Sequence, residues 1–430
     1  MVRRIDLGRQ SVMTKPQSTV SMDRLHTGDP GASGTIAFGS RAGIAGMSSG
    51  IHASHWETGG WRQQRAPAAY ECWHFDVMDS AGNGAAVTLF DGFCFHPRYL
   101  RSIARFHRTR GNAQFGPVSQ EALPQFYPAA AISVFQGGRC IANCLNVYPP
   151  GSFKGAPQSL DLSVGPNSIT TRHDGSFGLV ARGYPMQSTA GFPQHKQDQF
   201  ILVELGFEPT FAGVQHVQPL SIPTPEAAAH QLVLSIPHAK VMGRVQHMNV
   251  ADDIMLVDMS IETAGYHSHF FGGSAFSRRV RNVCMGHALN PEWSICWNSA
   301  GLRENNETDS VSIFEKGEQP IIINNPETHV KRKRRSNFLI AYPTHLTMHG
   351  ADSRGNNVEL VVRHQHIIES NPFLVRSACS VQAHSRGTKR FLGVGVMDVY
   401  SSSRLLWPVI SDVALRSVLS IASDDPLWRQ

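Results

Sequence analysis

The sequence predicts an all-β protein built from antiparallel barrels or sandwiches, with few helices. Three dipeptides that favour tight turns, Asn83-Gly84, Gly137-Gly138 and Asp174-Gly175, each separate two runs rich in β-forming residues. Few stretches show the spacing of apolar side chains that is typical of a helix. Repeated hairpins with few helices between them favour antiparallel sheets.

The predicted elements follow one another along the chain. Strand pairs are expected at 75–78 with 86–90, 131–135 with 140–145, 168–171 with 177–181, and 344–348 with 358–362. One helix is predicted near the C-terminus, at Pro408–Ile421, because Val409, Val413 and Ile421 fall on one helical face. A second, less regular helix is predicted at Arg98–Phe106.

Composition suggests three regions. Residues 1–60 are rich in Gly, Ser, Thr and Ala, which is typical of a flexible segment. Pro219–Pro225 interrupts the middle of the chain. We therefore expect a flexible segment over residues 1–60, whose role as a leader stays open, and two β domains over residues 61–240 and 241–430.

Positive charge is concentrated in one run. The formal net charge is +6, and Lys331–Arg335 supplies five of these charges, so that the rest of the chain carries +1. So local a feature is weak evidence for nucleic-acid binding, and no nucleic-acid partner is predicted. The run is expected to be a solvated loop; the alternatives are a nuclear-localisation-like signal or a patch that binds an anionic surface.

Cysteine usage bears on the compartment. The seven cysteines are odd in number and include no Cys-x-x-Cys spacing, which favours buried free thiols in a reducing compartment and hence a cytoplasmic location. No stretch approaches the roughly 18 apolar residues of a membrane span, so no transmembrane segment is predicted. Peripheral contact with a membrane and the oligomeric state stay open.

Two short segments carry an unusual mixture of side chains. Tyr70–Asp76 and Gly265–Gly272 each place aromatic rings and protonatable groups in a strand-like run. A ligand cavity needs this mixture, because rings provide an apolar wall and a few polar groups orient the ligand. We therefore expect the two segments to be two walls of one cavity.

These segments and others, in order, resemble a known family. Tyr70–Asp76 is followed by Phe93–Tyr99, then by Leu160–Ser168, Gly265–His269, Gly393–Tyr400 and Arg404–Pro408. Together they resemble the lipocalin-like enzymes that include carotenoid hydratases (hydroxyneurosporene synthases) and the Diels–Alderases of fungal polyketide pathways. The resemblance implies two lipocalin-like β-barrel or sandwich domains around an apolar cavity.

One departure from the family pattern bears on the chemistry. Where the hydratases carry an Asp two residues after the Tyr of their signature, this chain has Ser268, and Phe270-Phe271 replaces Asn-Trp. Protonating an alkene carbon needs a carboxylic acid or a protonated histidine, which a serine hydroxyl cannot replace. The chemistry expected is therefore shaping of a substrate rather than addition of water.

Each candidate residue in the two segments fits a functional or a structural role. His267 and His269 share one face of a strand and fit either paired donors in the cavity or hydrogen-bonded core histidines; as metal ligands they lack a fixed third partner, so no metal or other cofactor is predicted. Glu71 beside Trp73 fits either a general acid with a raised pKa or a structural carboxylate. The catalytic candidates are Glu71, Tyr266, His267, Ser268 and His269. The candidates for substrate binding are Trp73, Phe75, Asp76, Phe95, Tyr99, His230, Phe270 and Phe271.

We expect an enzyme that cyclises or rearranges a hydrophobic polyene, terpenoid or polyketide by holding it in one reactive conformation. The first alternative is a carotenoid hydratase-like lyase whose acid is Glu71 or a histidine. The second is a non-catalytic lipocalin-like binder of apolar ligands.

Overall fold

A computed structural model of the chain describes residues 60–110, 120–189, 192–211, 217–219, 230–302, 307–352, 354–385, 389–401, 404–405 and 407–428. Residues 1–59, nearly all of the predicted flexible segment, lie outside the described residues, as does most of Pro219–Pro225. The described strands form two sheets, of fifteen and nine strands.

The first sheet takes almost all of its strands from the N-terminal part of the chain. They are β1 (Tyr70–Met78), β2 (Gly84–Asp91), β3 (Ala129–Gln136), β4 (Arg139–Val147), β5 (Phe153–Gly155), β6 (Leu162–Val164), β7 (Asn167–Thr171), β8 (Phe177–Gly183), β9 (Met186–Thr189), β10 (Phe192–His195), β11 (Gln199–Pro209), β12 (Val217–Pro219), β13 (Gln231–Asn249) and β14 (Ile254–Gly272).

The second sheet follows in the chain. Its strands are β15 (Val280–Asn290), β16 (Trp293–Leu302), β17 (Glu307–Glu315), β18 (Ile321–Asn324), β19 (Glu327–Arg335), β20 (Ala341–Ala351), β21 (Asn357–Ser370), β22 (Leu374–Ser385) and β23 (Lys389–Ser401). The short β24 (Leu419–Ser420) then returns to the first sheet, where it pairs in parallel with β4.

Helices are few in the described part of the chain. They are α1 (Pro97–Arg110), α2 (Phe276–Arg279) and α3 (Pro408–Arg416), with short 3-10 turns at Gln120–Ala122, Pro124–Phe126 and Pro426–Trp428. The predicted C-terminal helix is therefore confirmed but ends five residues early, because the chain turns at Ser417 to place β24 against β4. None of the described helices is both long and apolar enough to cross a membrane.

All four predicted hairpins are confirmed. The hairpin of β3 and β4 shows why a Gly-Gly dipeptide forms a turn. Only Gly137 and Gly138 separate the two strands, and their φ angles are 58° and 72°. A two-residue hairpin turn of this type requires positive φ at both central positions, which glycine adopts without steric cost. The neighbour order β4-β3-β2-β1-β14-β13 then follows largely from hairpin connections.

Each sheet curls around its own apolar core, and the all-β, lipocalin-like prediction is confirmed. Trp73, Phe177 and Phe207 lie in the core of the first sheet, and Trp297 and Leu346 in that of the second. A third apolar cluster joins the two sheets with α1 and α3. Because pairing in the first sheet continues to Gly272, residue 240 falls inside β13; the division into domains at this residue remains a prediction.

The expectation of a loop at Lys331–Arg335 was wrong. These residues belong to β19, which pairs with β20 at one end of the second sheet. All five side chains are exposed. A strand at the edge of a sheet leaves room for solvated cations on both faces, which is why a charge run is compatible with a strand here.

Candidate active site

The two segments singled out in the sequence are neighbouring antiparallel strands of the first sheet. Trp73 pairs with His269 and Asp76 with Tyr266 across β1 and β14. They therefore form one wall of a site, not two. Because side chains alternate along strands, this register sorts the candidate residues onto two opposite faces.

One face points into the core of the first sheet. There His269 Nε2 lies 3.0 Å from Glu71 Oε1, and Trp73 stacks on His269 at 4.7 Å. His267 stacks on Phe75 at 4.1 Å. All of these side chains are buried.

Of the two histidines on this face, His267 is held neutral by burial. Burial lowers the pKa of His267 to about 3, and its Nδ1 lies 3.1 Å from the carbonyl oxygen of His74, to which it donates. The geometry is that of hydrogen-bonded histidines in a β core. Glu71, His267 and His269 do not line the cavity between the sheets.

The opposite face points at the second sheet and lines a cavity of about 120 Å³. Tyr70, Cys72, His74 and Phe270 contribute from β1 and β14, and Phe95 from the loop before α1. The second sheet contributes several further lining residues: Val283, Glu369, Phe373, Leu374, Arg376 and Tyr400.

Aromatic rings close the space between the two sheets. Phe95 stacks on Tyr400 at 5.8 Å with nearly parallel planes, and Phe93 meets Phe373 edge-on at 5.5 Å. Tyr70 packs edge-on against Phe276 at 5.5 Å. These contacts make most of the cavity wall apolar, as in sites for hydrophobic ligands.

The predicted binding residues are divided by this geometry. Phe95 and Phe270 line the cavity, whereas Trp73, Phe75 and Phe271 lie on the core face. His230 supports a lining residue, because its Nδ1 lies 3.0 Å from the hydroxyl of Tyr70. The hydroxyl of Tyr99 donates to the carbonyl oxygen of Ala69 at 2.6 Å, and its ring stacks on Tyr127.

An ion-pair network forms the polar corner of the site. Arg376 donates from Nε and Nη2 to the two carboxylate oxygens of Asp398, at 2.8 and 2.6 Å. Its Nη2 also lies 3.0 Å from Asp76 Oδ2. All three residues are buried, so this is a charge-assisted, bidentate contact at the junction of the sheets.

Local charges outweigh burial at Asp76. Burial alone would raise the pKa of this carboxyl, but Arg376, with smaller contributions from His74 and His287, holds the pKa well below its ordinary value of 3.8. Burial also lowers the pKa of His287 to about 4, partly opposed by Asp76, so this ring is neutral at pH 7. It stacks on Tyr266 from the facing sheet at 4.5 Å.

Histidine 74 connects this network to the cavity. His74 Nδ1 lies 2.9 Å from Thr88 Oγ1, while Nε2 lies 3.4 Å from Arg376 Nη2 and 3.8 Å from Asp76 Oδ2. A neutral ring can accept from Arg376, and a protonated ring can face Asp76. The two carboxylates and one guanidinium of the network leave one formal negative charge beside this ring.

Two residues that line the cavity, Arg376 and Glu369, each have one buried polar atom with no hydrogen-bond partner among the described residues: Nη1 and Oε2, respectively. Glu369 and Arg376 are paired residues of β21 and β22. The other oxygen of Glu369, Oε1, accepts from Asn371 at 2.8 Å and Asn143 at 3.3 Å. A buried donor and a buried acceptor that lack hydrogen-bond partners can bind a polar group of a ligand.

The same corner has the donor set of a metal site. One ligand atom each from His74, Asp76 and Asp398 lies within 4.8 Å of the others. The guanidinium of Arg376, however, already contacts both carboxylates. Since its charge is permanent, the donor set fits an ion-pair network better than a cation site.

Three of these residues were missed in the sequence. Arg376 lies in β22 (Leu-Val-Arg-Ser-Ala-Cys), Asp398 in β23 (Val-Met-Asp-Val), and Glu369 follows two isoleucines of β21. A charged residue within an apolar strand was the available signal, because a buried charge needs a partner or a function. The ion-pair partners of these charged residues could not be predicted, because they depend on the pairing of strands that are distant in the sequence.

Comparisons with known proteins bear on the fold. No family model and no curated protein sequence matches this chain. A solved Nitrosomonas europaea structure assigned to AttH is similar with a TM-score of 0.50 and 11% identity, covering 83% of this chain and 100% of its own. At this identity the likeness shows the two-sheet, lipocalin-like fold alone.

Two further structures are more distantly similar. One is CghA with Sch210972, at a TM-score of 0.44 and 12% identity, covering 78% of this chain and 89% of its own. The other is kievitone hydratase from Nectria haematococca, at a TM-score of 0.45 and 12% identity, covering 83% of this chain and 96% of its own.

Proposed function

We propose that this chain is an enzyme that binds a hydrophobic polyene, terpenoid or polyketide in the cavity between the sheets and cyclises or rearranges it. The observation that carries the proposal is the polar corner of an otherwise apolar cavity. Arg376 belongs to this corner and Glu369 is its strand neighbour; both line the cavity, both are buried, and each has one polar atom with no hydrogen-bond partner among the described residues. Burying charge is costly, and a simple container for apolar ligands gains nothing from it.

The aromatic wall and the polar corner have different tasks in this mechanism. Phe95, Phe270 and Tyr400 hold the apolar chain in one conformation, which supplies several kcal/mol by orientation. Arg376 Nη1 donates to a carbonyl or hydroxyl oxygen of the substrate and stabilises charge that develops on it. The cavity of about 120 Å³ is small for such a ligand, so the rings at its wall move apart when it binds.

A hydratase-like reaction is the second candidate, supported by the position of His74. His74 lies opposite Ser268, the position at which the resemblance implies an acid, and its Nε2 is 3.8 Å from Asp76. Protonated, His74 is a strong enough acid to serve as the proton donor. This reaction incorporates solvent deuterium and oxygen into the product, whereas cyclisation or rearrangement leaves oxygen unchanged.

The test begins with mass spectrometry of apolar compounds retained by the purified protein. The protein is then incubated with polyenes such as squalene, retinoic acid and cis-parinaric acid, in ordinary water and in water labelled with deuterium and oxygen-18. A product of unchanged mass supports cyclisation, and a product heavier by one water supports the hydratase. A retained ligand with no conversion of it or of any polyene contradicts both and leaves a binding protein.

A further inference from the structure

The hairpin of β19 and β20, here called the basic hairpin, carries a surface that the cavity does not explain. Lys331–Arg335 are all exposed on the edge strand. No acidic residue occurs between Glu327 and Asp352, so the end of the hairpin near its turn has no counter-charge of its own. Arg363, on β21, is paired with His345 of β20 and extends the cationic surface inward.

Apolar side chains are exposed at the turn of the same hairpin. Leu339 is 47% exposed. Arg404 Nη1 donates to the carbonyl oxygen of Phe338 at 2.8 Å, and the amide of Trp407 in turn donates to the carbonyl oxygen of Arg404. These hydrogen bonds connect Trp407 to the turn through Arg404, and the side chains of Trp407 and Val409 are 52% and 74% exposed.

The backbone of Leu339 is unusual for a leucine. Its φ is 62°, the left-handed region, in a turn closed by hydrogen bonds between Ser336 and Ile340. Glycine or asparagine takes this conformation at lower cost, whereas a bulky side chain is strained there. The chain thus carries a strained leucine whose side chain points partly into solvent.

We propose that the basic hairpin docks on the surface of an anionic lipid bilayer, with Leu339 and Trp407 entering the headgroup region. Cationic side chains attract anionic lipids. Exposed apolar side chains strengthen binding because they are buried in the membrane, and tryptophan favours the membrane–water interface. Nucleic acid would use the cations but gains nothing from leucine at the tip. The proposal does not depend on the reaction in the cavity.

The experiment measures binding of the full chain to sedimented vesicles of phosphatidylcholine alone and with about one third phosphatidylserine. One variant neutralises the tip: Lys333→Gln, Arg334→Gln and Arg335→Gln. Its matched control removes three exposed cations elsewhere: Arg139→Gln, Lys154→Gln and Lys240→Gln. The third variant is Leu339→Asn, which relieves the backbone strain.

We expect the wild type and the control to bind the anionic vesicles. Each cation near the surface contributes about fivefold, so the tip variant binds roughly a hundredfold more weakly. Leu339→Asn binds roughly tenfold more weakly while remaining at least as stable to urea. Lipids brominated in their acyl chains quench tryptophan fluorescence of the wild type, and less so that of Trp407→Phe.

Four results would overturn the proposal. One is absence of vesicle binding by the wild type. Another is an equal loss of vesicle binding in the tip variant and its control. The third is a tip variant that aggregates without any effect on vesicle binding, since the cations then only protect a sheet edge. Tighter binding of a DNA duplex than of anionic vesicles at the same salt, unaffected by Leu339→Asn, would likewise contradict a membrane surface.

Discussion

His74 and Ser268 lie directly opposite each other on β1 and β14, on the face that looks toward the second sheet. The resemblance implies an acid at position 268, and this chain instead has a histidine across the strand from it. His74 lines the cavity and contacts the network of Arg376 and Asp76. The titratable side chain on this face therefore lies on the neighbouring strand, directly across from the position that the resemblance implies.

The first prediction separates the two faces of the β1–β14 pair. His74→Gln keeps a hydrogen-bonding side chain near Thr88 but cannot carry a proton. If His74 is the general acid or base, conversion of any polyene identified in the screen falls by roughly a hundredfold or more. The measurement is turnover under saturating substrate, with urea unfolding as the check on folding.

The matched control is His267→Gln on the core face of β14. Its pKa of about 3 and its contact with the backbone of β1 describe a neutral ring remote from the cavity. Turnover per folded molecule should change by no more than a few fold. A loss in His267→Gln as large as that in His74→Gln would instead favour the catalytic role predicted for His267 from the sequence.

The second prediction concerns stability. Arg376→Ala leaves Asp76 and Asp398 buried without their cation, which should lower the free energy of unfolding by about 3–5 kcal/mol. The double variant Arg376→Met with Asp398→Asn should recover part of this loss, because less uncompensated charge remains. Urea unfolding measures both, and Arg244→Ala, in an exposed pair with Asp258, is the control expected to change little. Equal effects of Arg376→Ala and Arg244→Ala would show that the network does not stabilise the fold.

The third prediction is a loss of stability in mild acid. The pKa values of His267 and His287, about 3 and about 4, lie below the ordinary 6.5, so the unfolded chain binds protons that the folded chain does not. This contribution is complete above pH 6.5 and is lost as the pH falls toward 4. Asp76, whose folded pKa is lowered, adds a further loss only below its ordinary value of 3.8.

The free energy of unfolding, measured against pH between 6 and 4, tests this sign. In His267→Gln the unfolded chain binds up to one proton fewer, so the slope of the free energy of unfolding against pH should decrease by up to about 1.4 kcal/mol per pH unit. Leu392→Ala, which changes an exposed side chain of β23 that does not titrate, serves as the control and should leave the slope unchanged. A wild-type free energy that is constant or increases as the pH falls would contradict the prediction.

The fourth prediction tests the hairpin turn between β3 and β4. Gly137 has a φ of 58°, and a Cβ built there meets no atom within 4 Å. Gly137→Ala should therefore cost only the backbone term, about 1 kcal/mol, and Gly137→Asn less, because asparagine tolerates this conformation. Thermal unfolding compares the two variants, and equal losses would show that packing, not the backbone, sets the cost.

Much of the β architecture was readable from the chain. Turn dipeptides locate hairpins because positive φ is a local requirement of the backbone, and Gly137-Gly138 meets it without regard to distant contacts. The alternation of side chains likewise placed Glu71 with Trp73, and His267 with His269, on common faces before any pairing was known. The edge strand at Lys331–Arg335 was misread because the charge pattern does not reveal a strand that is solvated on both faces.

Which face bounds the cavity was decided only by the tertiary structure. Local periodicity divides β1 and β14 into two faces but cannot say which one meets the second sheet. The register of β21, β22 and β23 brings Glu369, Arg376 and Asp398 side by side, and the packing of the sheets sets them against His74 and Asp76, about 300 residues away. The sequence by itself determined the hairpins and an unusual concentration of rings and protonatable groups. The partners of those groups depend on long-range contacts, since the energy of a buried charge is set by whatever the fold places beside it.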